Sequence, residues 1–247
     1  MQCIAILSDI HGNLPALEVV TADLQARQVD TVINLGDHLS GPLWPAETAQ
    51  FLMQQDWIHI RGNHDRCLVE QDPKQHGISD QYAYEQLNDE QLSWLKEMPA
   101  SVTLEEEILA IHGSPGNDKT YLLESISCGR TNLASPEEIE HNLQGVKPQV
   151  LLCGHTHIPR VVKLMEKMLI VNPGSVGLPA YDDEEPEYHI TETGSPHARY
   201  AIIEKKNDLW QVELINLCYE NVKAVQQAAK NNQPGWALAL QTGFMRG

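Results

Sequence analysis

Short apolar runs separated by polar turns organise this chain. Cys3–Leu7 (CIAIL) is apolar throughout, followed by a polar turn and a helix entered at Pro15, in which Leu17, Val20 and Leu24 recur at helical spacing. Thr31–Leu35 (TVINL) repeats the strand signal and ends at Gly36-Asp37; a helix from about Pro45 to Gln55 and a third strand, Trp57–Ile60, follow. Asn88 and Gln91 have capping-box spacing ahead of Leu92 and Leu95, which predicts a helix running toward Pro99. Val102–Leu104 and Ile108–His112 flank Glu105-Glu106-Glu107 and predict a hairpin with an exposed acidic tip. Ser135-Pro136-Glu137-Glu138 is a helix start, with a Ser cap, Pro at the first position and Glu at the third. Beyond it lie a strand at Val150–Cys153, paired runs at Arg160–Leu164 and Met168–Val171, and a hairpin of Tyr200–Glu204 and Trp210–Ile215 around Asn207-Asp208. From Tyr219 onward the pattern is helical, broken at Asn231–Gly235.

Early βαβ alternation followed by hairpins predicts an α/β fold with mixed strands. No repeat or linker interrupts it, so residues 1–247 read as one domain. Within it, 181–198 reads as an acidic surface loop, with five acids between Tyr181 and Tyr188, and 219–247 as a helical C-terminal extension. That extension packs on its own domain or pairs with another copy, leaving a homo-oligomer open.

Composition narrows the function classes. With 247 residues, 42 % hydrophobic and 21 % charged, the chain has the make-up of a globular protein with a full core. Its 17 Lys and Arg against 34 Asp and Glu leave a net charge of -17, which argues against gripping long nucleic acids or an anionic membrane. No apolar run approaches the roughly 18 residues of a membrane span. The start of the chain lacks the basic and small-residue signature of a signal peptide. Five scattered cysteines, without a CxxC pair, read as reduced thiols of a cytoplasmic protein.

The chemistry gathers where strands end. In order, these exits read Asp9-Ile10-His11, Gly36-Asp37, Gly62-Asn63-His64-Asp65, His112-Gly113 and Gly154-His155-Thr156-His157. Ligands of open α/β sheets bind beyond the carboxyl ends of strands, so the five segments are expected to meet. Their carboxylates, amide oxygen and imidazoles suit first-row divalent ions; thiolates are absent, and imidazole is too abundant for calcium. Asp9 and His11, two apart on extended chain, are expected to point to the same side; His155 and His157 share that geometry, to serve one metal or straddle two. Gly36, Gly62, Gly113 and Gly154 would permit close backbone approach and positive φ. Each piece is common alone; five in succession at strand exits are not.

In this order the motifs resemble the calcineurin-like metallophosphoesterase superfamily, whose pattern is D-x-H, G-D, G-N-H-[D/E], H and G-H-x-H. Asn172-Pro173-Gly174-Ser175-Val176-Gly177 resembles its bacterial and archaeal branch of small phosphodiesterases and phosphatases. The resemblance implies a four-layer α/β/β/α sandwich of two mixed sheets with two divalent cations between them, Mn²⁺ foremost, with Fe, Zn, Ni or Co as alternatives. It assigns Asp9, His11, Asp37 and His157 to one metal and Asp37, Asn63, His112 and His155 to the other. It further implies a hydroxide activated by both metals attacking a phosphate ester. His64, hydrogen-bonded by Asp65, would protonate the departing oxygen. The expected substrate is a small or nucleotide-like mono- or diester; a phosphoprotein and a non-catalytic scaffold are the alternatives. Arg160 and the Asn172, Gly174 and Ser175 turn are the candidates for holding phosphate. Ala180 and Gly116 stand where this branch often has Arg, and no Asp-Arg-Gly follows Gly36-Asp37. His38 reads as pocket lining.

Overall fold

A computed structural model describes residues 3–164 and 168–245. In chain order these form β1 (Cys3–Leu7), α1 (Leu14–Arg27), β2 (Thr31–Asn34), α2 (Pro45–Leu52), β3 (Ile58–His59), α3 (Asn63–Glu70), α4 (Ile78–Gln86), α5 (Asp89–Glu97), β4 (Ser101–Leu104) and β5 (Ile108–Ile111). They continue with β6 (Glu124–Ser127), β7 (Arg130–Leu133), α6 (Pro136–Asn142), β8 (Val150–Leu152), β9 (Arg160–Leu164), β10 (Met168–Asn172), β11 (Ala180–Asp183), β12 (His189–Glu192), β13 (Ala198–Lys206), β14 (Leu209–Leu217), α7 (Val222–Lys230) and α8 (Pro234–Thr242).

Two five-stranded mixed sheets form the centre, in the orders β14-β13-β1-β2-β3 and β4-β5-β8-β10-β9. The period-two alternation of β1 explains how the first sheet is covered. Ile4 and Ile6 share a core with Ile108, Val150 and Val171 of the second sheet. Ala5 and Leu7 face Leu17, Val20 and Leu24 of α1 on the other side. Those α1 positions are the spacing that marked the helix in the sequence. In the second sheet, Leu151 and Ile170 pack on Ile139 of α6. That helix begins at the Ser135 cap, whose hydroxyl accepts from the Glu138 N–H.

The predicted acidic hairpin forms as β4 and β5, with the turn at Glu105–Glu107. Two expectations change. A third, four-stranded mixed sheet, β11-β12-β7-β6, stands beside the two that were expected. Residues 181–198, read as a loop from their charge, supply two of its strands. The acids cluster at the connection, while His189, Ile190 and Thr191 of β12 are all buried. The extension at 219–247 forms α7 and α8, folded on the chain itself through Leu43, Ala224, Ala228 and Leu240; its last two residues lie outside the described residues. Among the described residues no helix is long and apolar enough to cross a membrane.

Candidate metal centre

Each ligand segment leaves a strand and is tied to its neighbour. The Asp9 N–H donates to Gly36 O, the His11 N–H to Asp37 O, and the Gly154 N–H to His112 O, at 2.7–3.0 Å. This cross-bonding holds a backbone that the residues would not choose alone. Asp9, His11, Asp37, His155 and His157 all have positive φ, from 52° to 69°. Such a conformation costs roughly 1–2 kcal/mol for a residue with a Cβ. Asp9-x-His11 and His155-x-His157 are therefore not extended, and the expected pleat geometry is wrong for both. The candidate ligands converge because each of these five turns through the left-handed region, a form of local strain found at functional sites.

Two clusters of donor atoms result. Asp9, His11 and His157 form one, and Asp37, His112 and His155 the other, with each trio's atoms within 4.8 Å of one another. The second histidine pair thus straddles the two groups. They adjoin, since Asp9 Oδ2 accepts the His155 N–H at 3.1 Å. Asn63 Oδ1 lies 3.0 Å from His112 Nε2, beside the second trio.

The hydrogen bonds behind the rings test whether cations fit. His11 Nδ1–H donates to Ser40 O and His157 Nδ1–H to Leu178 O, both at 2.7 Å. Each Nε2 is then an acceptor, yet the two Nε2 atoms lie 3.2 Å apart. Two buried lone pairs at that distance repel unless a cation or proton lies between them. Asp9 Oδ1, 3.3 Å from His157 Nε2, is likewise buried without a hydrogen bond. On the other side, His112 Nδ1–H donates to Leu35 O at 2.8 Å and His155 Nε2–H to Lys119 O at 3.0 Å. Backbone carbonyls that fix the tautomer and aim the second nitrogen are the usual support of metal-bound imidazoles. The donor sets fit divalent cations. The charges agree. Burial pushes His11 and His155 down to about 4, favouring the neutral ligand form. Burial also opposes charge on His112, but the Asp37 carboxylate outweighs it and raises the ring to about 9.

Among the four motif glycines, only Gly36 has positive φ, at 110°. Gly62 is needed for close approach instead, because a Cβ there would lie 2.2 Å from Asp37 Oδ1.

His64 stands beside the first trio, its ring centroid 5.6 Å from that of His11. Its partner is not Asp65. His64 Nδ1–H donates to Asp80 Oδ1 at 2.7 Å, and the same oxygen accepts a short bond from the Ser40 hydroxyl. Burial opposes charge on His64, but Asp37 and Asp80 together raise it to about 10. Asp65 is fully buried and faces away, accepting from the N–H groups of Asp37, His38 and Gly62 and from His38 Nδ1. It braces the loop that carries Asp37. His38 is buried against Asp65 and His59, at 2.8 and 3.1 Å, and does not line the pocket. Asp80 lies on α4, outside every motif.

A model of the calcineurin-like phosphoesterase superfamily domain matches residues 1–195, most of the chain. The chain belongs to this family. It is a metallophosphoesterase, a hydrolase of phosphate esters. A metallophosphoesterase from Sphaerobacter thermophilus has the same fold, with a TM-score of 0.75 at 24 % identity over 98 % of this chain and 99 % of that one. A hypothetical protein from Pyrococcus horikoshii OT3 gives 0.76 at 19 % identity, with the same coverage. An uncharacterized protein of Methanocaldococcus jannaschii is 26 % identical over 250 residues, covering 94 % of each chain.

In this metallophosphoesterase the proposed phosphate-holding turn is structural. Asn172 Nδ2 donates to Gly154 O and Thr156 Oγ1, and Asn172 Oδ1 accepts the Gly174 N–H. Ser175 Oγ donates to Asp9 O and accepts the Leu178 N–H. Asn172 and Ser175 are 1 % exposed, so the turn clamps the loops of Asp9 and His155 from behind. Arg160 is paired with Glu124 at 3.1 Å, Arg66 with Asp118 and Arg61 with Glu70; none of the three lines the cleft. The cleft, of about 1430 Å³, opens from the two trios between the β11–β12 hairpin, α4 and α8. Aromatic rings from outside the motifs flank three of the ligands. Tyr181 lies 4.7 Å from His157, Tyr121 5.0 Å from His155 and Trp236 5.9 Å from His11, centroid to centroid.

Proposed function

We propose that this metallophosphoesterase hydrolyses a small phosphate mono- or diester at two divalent cations, one in each trio, with Mn²⁺ the first candidate. Asp9, His11 and His157 would hold one; Asp37, Asn63, His112 and His155 the other, with Asp37 bridging. Bound there, the cations supply Lewis acidity, acidifying water and offsetting charge on phosphoryl oxygens. The carrying observation is the pair of facing imidazole Nε2 atoms of His11 and His157, 3.2 Å apart beside an Asp9 oxygen that is buried without a hydrogen bond.

The chain's own residues account for the rest. The left-handed ligand loops, bonded to one another, hold the donors in place before substrate arrives, so little reorganisation accompanies reaction. Asp80 keeps the proton on His64 and turns its Nε2–H toward the cleft, where it protonates the departing oxygen. Ser40 ties Asp80 to the His11 side, since its hydroxyl bonds Asp80 and its carbonyl holds His11. The hairpin and α8 wall the cleft, which supports a small ester over a folded phosphoprotein.

Assay with p-nitrophenyl phosphate and bis-p-nitrophenyl phosphate under Mn²⁺, Ni²⁺ or Zn²⁺ tests this, alongside metal analysis. The expected outcome is chelator-sensitive turnover of at least one ester at two metals per chain. A His64→Ala variant should lose turnover yet retain metal. Absence of chelator-sensitive turnover on both esters would overturn the proposal.

A further inference from the structure

Charge in the cleft is one-sided. The hairpin contributes Asp182, Asp183, Glu184, Glu185 and Glu187 to its lining. Against them stands Lys119, the one Lys or Arg among the described lining residues, and its Nζ lies 3.5 Å from Glu185 Oε2. A second phosphate or a carboxylate on the substrate would meet five carboxylates and no unpaired lysine or arginine among those residues.

The acids alone define no site, but two further features point to a ligand. Tyr121, Tyr181 and Trp236 are half-buried in the same wall, beside the ligand histidines and thus next to any bound phosphoryl group. Glu124 also lines the cleft, 4 % exposed, with Oε1 on Arg160 and Oε2 buried without a hydrogen bond. Aromatic rings combined with carboxylates form the environment that recognises alkylammonium groups, through cation–π attraction and long-range charge.

We infer that the preferred substrate is a phosphate ester bearing an alkylammonium group, held between the aromatic wall and the 182–187 hairpin while its phosphate occupies the metal centre. The inference rests on the hydrolase reading above. The hairpin is then the specificity element. Substrates carrying extra phosphates, such as nucleoside triphosphates, are rejected electrostatically.

A matched series of p-nitrophenyl phosphodiesters tests this, with ethyl, choline or carboxyethyl as the second substituent. The expected kcat/KM order is choline, ethyl, carboxyethyl, with the ends separated by roughly tenfold or more at low salt and the spread shrinking as salt screens the charges. The variant Glu184→Gln/Glu185→Gln/Glu187→Gln, at exposed hairpin positions, should compress the spread. An equal or reversed order, or a spread unmoved by both salt and the variant, would overturn the inference. Calorimetric binding of phosphorylcholine against 3-phosphopropionate to the metal-loaded protein reads the same selectivity without turnover. If none of the three esters is hydrolysed, the hydrolase reading fails. Tighter binding of phosphorylcholine would still support the charge selectivity, and equal or weaker binding would overturn it.

Discussion

Asp80→Asn removes one charge from the His64 pair and changes almost no volume. The 2.7 Å bond between His64 Nδ1 and Asp80 is charge-assisted, a class worth about 1.5–3 kcal/mol. The His64 side chain is 36 % exposed, so solvent screens part of this. When cations occupy the site, the Asp37 charge is shared with them, and Asp80 becomes the main carboxylate holding the His64 proton. A loss of about 2 kcal/mol at the transition state corresponds to roughly thirtyfold in rate. That loss should appear only where the departing oxygen needs a proton. The assay is therefore kcat/KM across leaving groups, from p-nitrophenol to a simple alcohol, in wild type and variant. Alkyl esters should slow by about thirtyfold and the p-nitrophenyl ester by less than about threefold, steepening the dependence on leaving-group basicity. Equal slowing on both substrates would refute the reasoning and make Asp80 a brace for Ser40. Asp65→Asn is the contrasting variant. It disturbs three backbone N–H groups and His38, so its expected effect is a lower denaturation midpoint without a steeper leaving-group dependence.

Three further outcomes follow from particular contacts. Gly62→Ala places a Cβ 2.2 Å from Asp37 Oδ1 and should abolish tight binding at the second trio, measured by calorimetric metal titration, although φ there is unremarkable. Mn²⁺ at about a hundred times its dissociation constant should add about 2.7 kcal/mol of stability, read as a higher melting temperature reversed by chelator; His157→Ala should diminish that gain. His59 is half-buried with Nε2 unpaired, and burial pushes it down to about 3. The folded ring stays neutral while the unfolded one protonates below its ordinary 6.5, so stability is lost as pH falls from 6.5 toward 3. Between pH 7 and pH 5 the loss is about 1–2 kcal/mol once screening is allowed for. His59→Gln should lose correspondingly less in denaturant titrations at the two values.

Local order is what this sequence determined unaided. The Ile4/Ile6 and Ala5/Leu7 alternation, the Leu17–Val20–Leu24 spacing and the Ser135 and Asn88 caps are short-range signals. Hydrophobic burial and backbone hydrogen bonding turn them into strands and helices within a few residues. The candidate ligands stood out for the same reason, since their short motifs fall within a few residues of the predicted strand ends. The acidic 181–198 segment misled, because charge at a hairpin tip says nothing about the buried strand residues that follow it, His189, Ile190 and Thr191. Tertiary structure decided the long-range questions. Only it showed that five candidate ligands adopt left-handed backbone, because the cross-bonds imposing it come from segments as far apart as Asp9 and Gly36 or Gly154 and His112. It likewise gave His64 to Asp80 rather than to its neighbour Asp65, turned the Asn172–Ser175 phosphate candidates into a clamp, and brought Tyr121, Tyr181 and Trp236 to the ligands. Such contacts depend on packing between remote segments, and no local pattern encodes them.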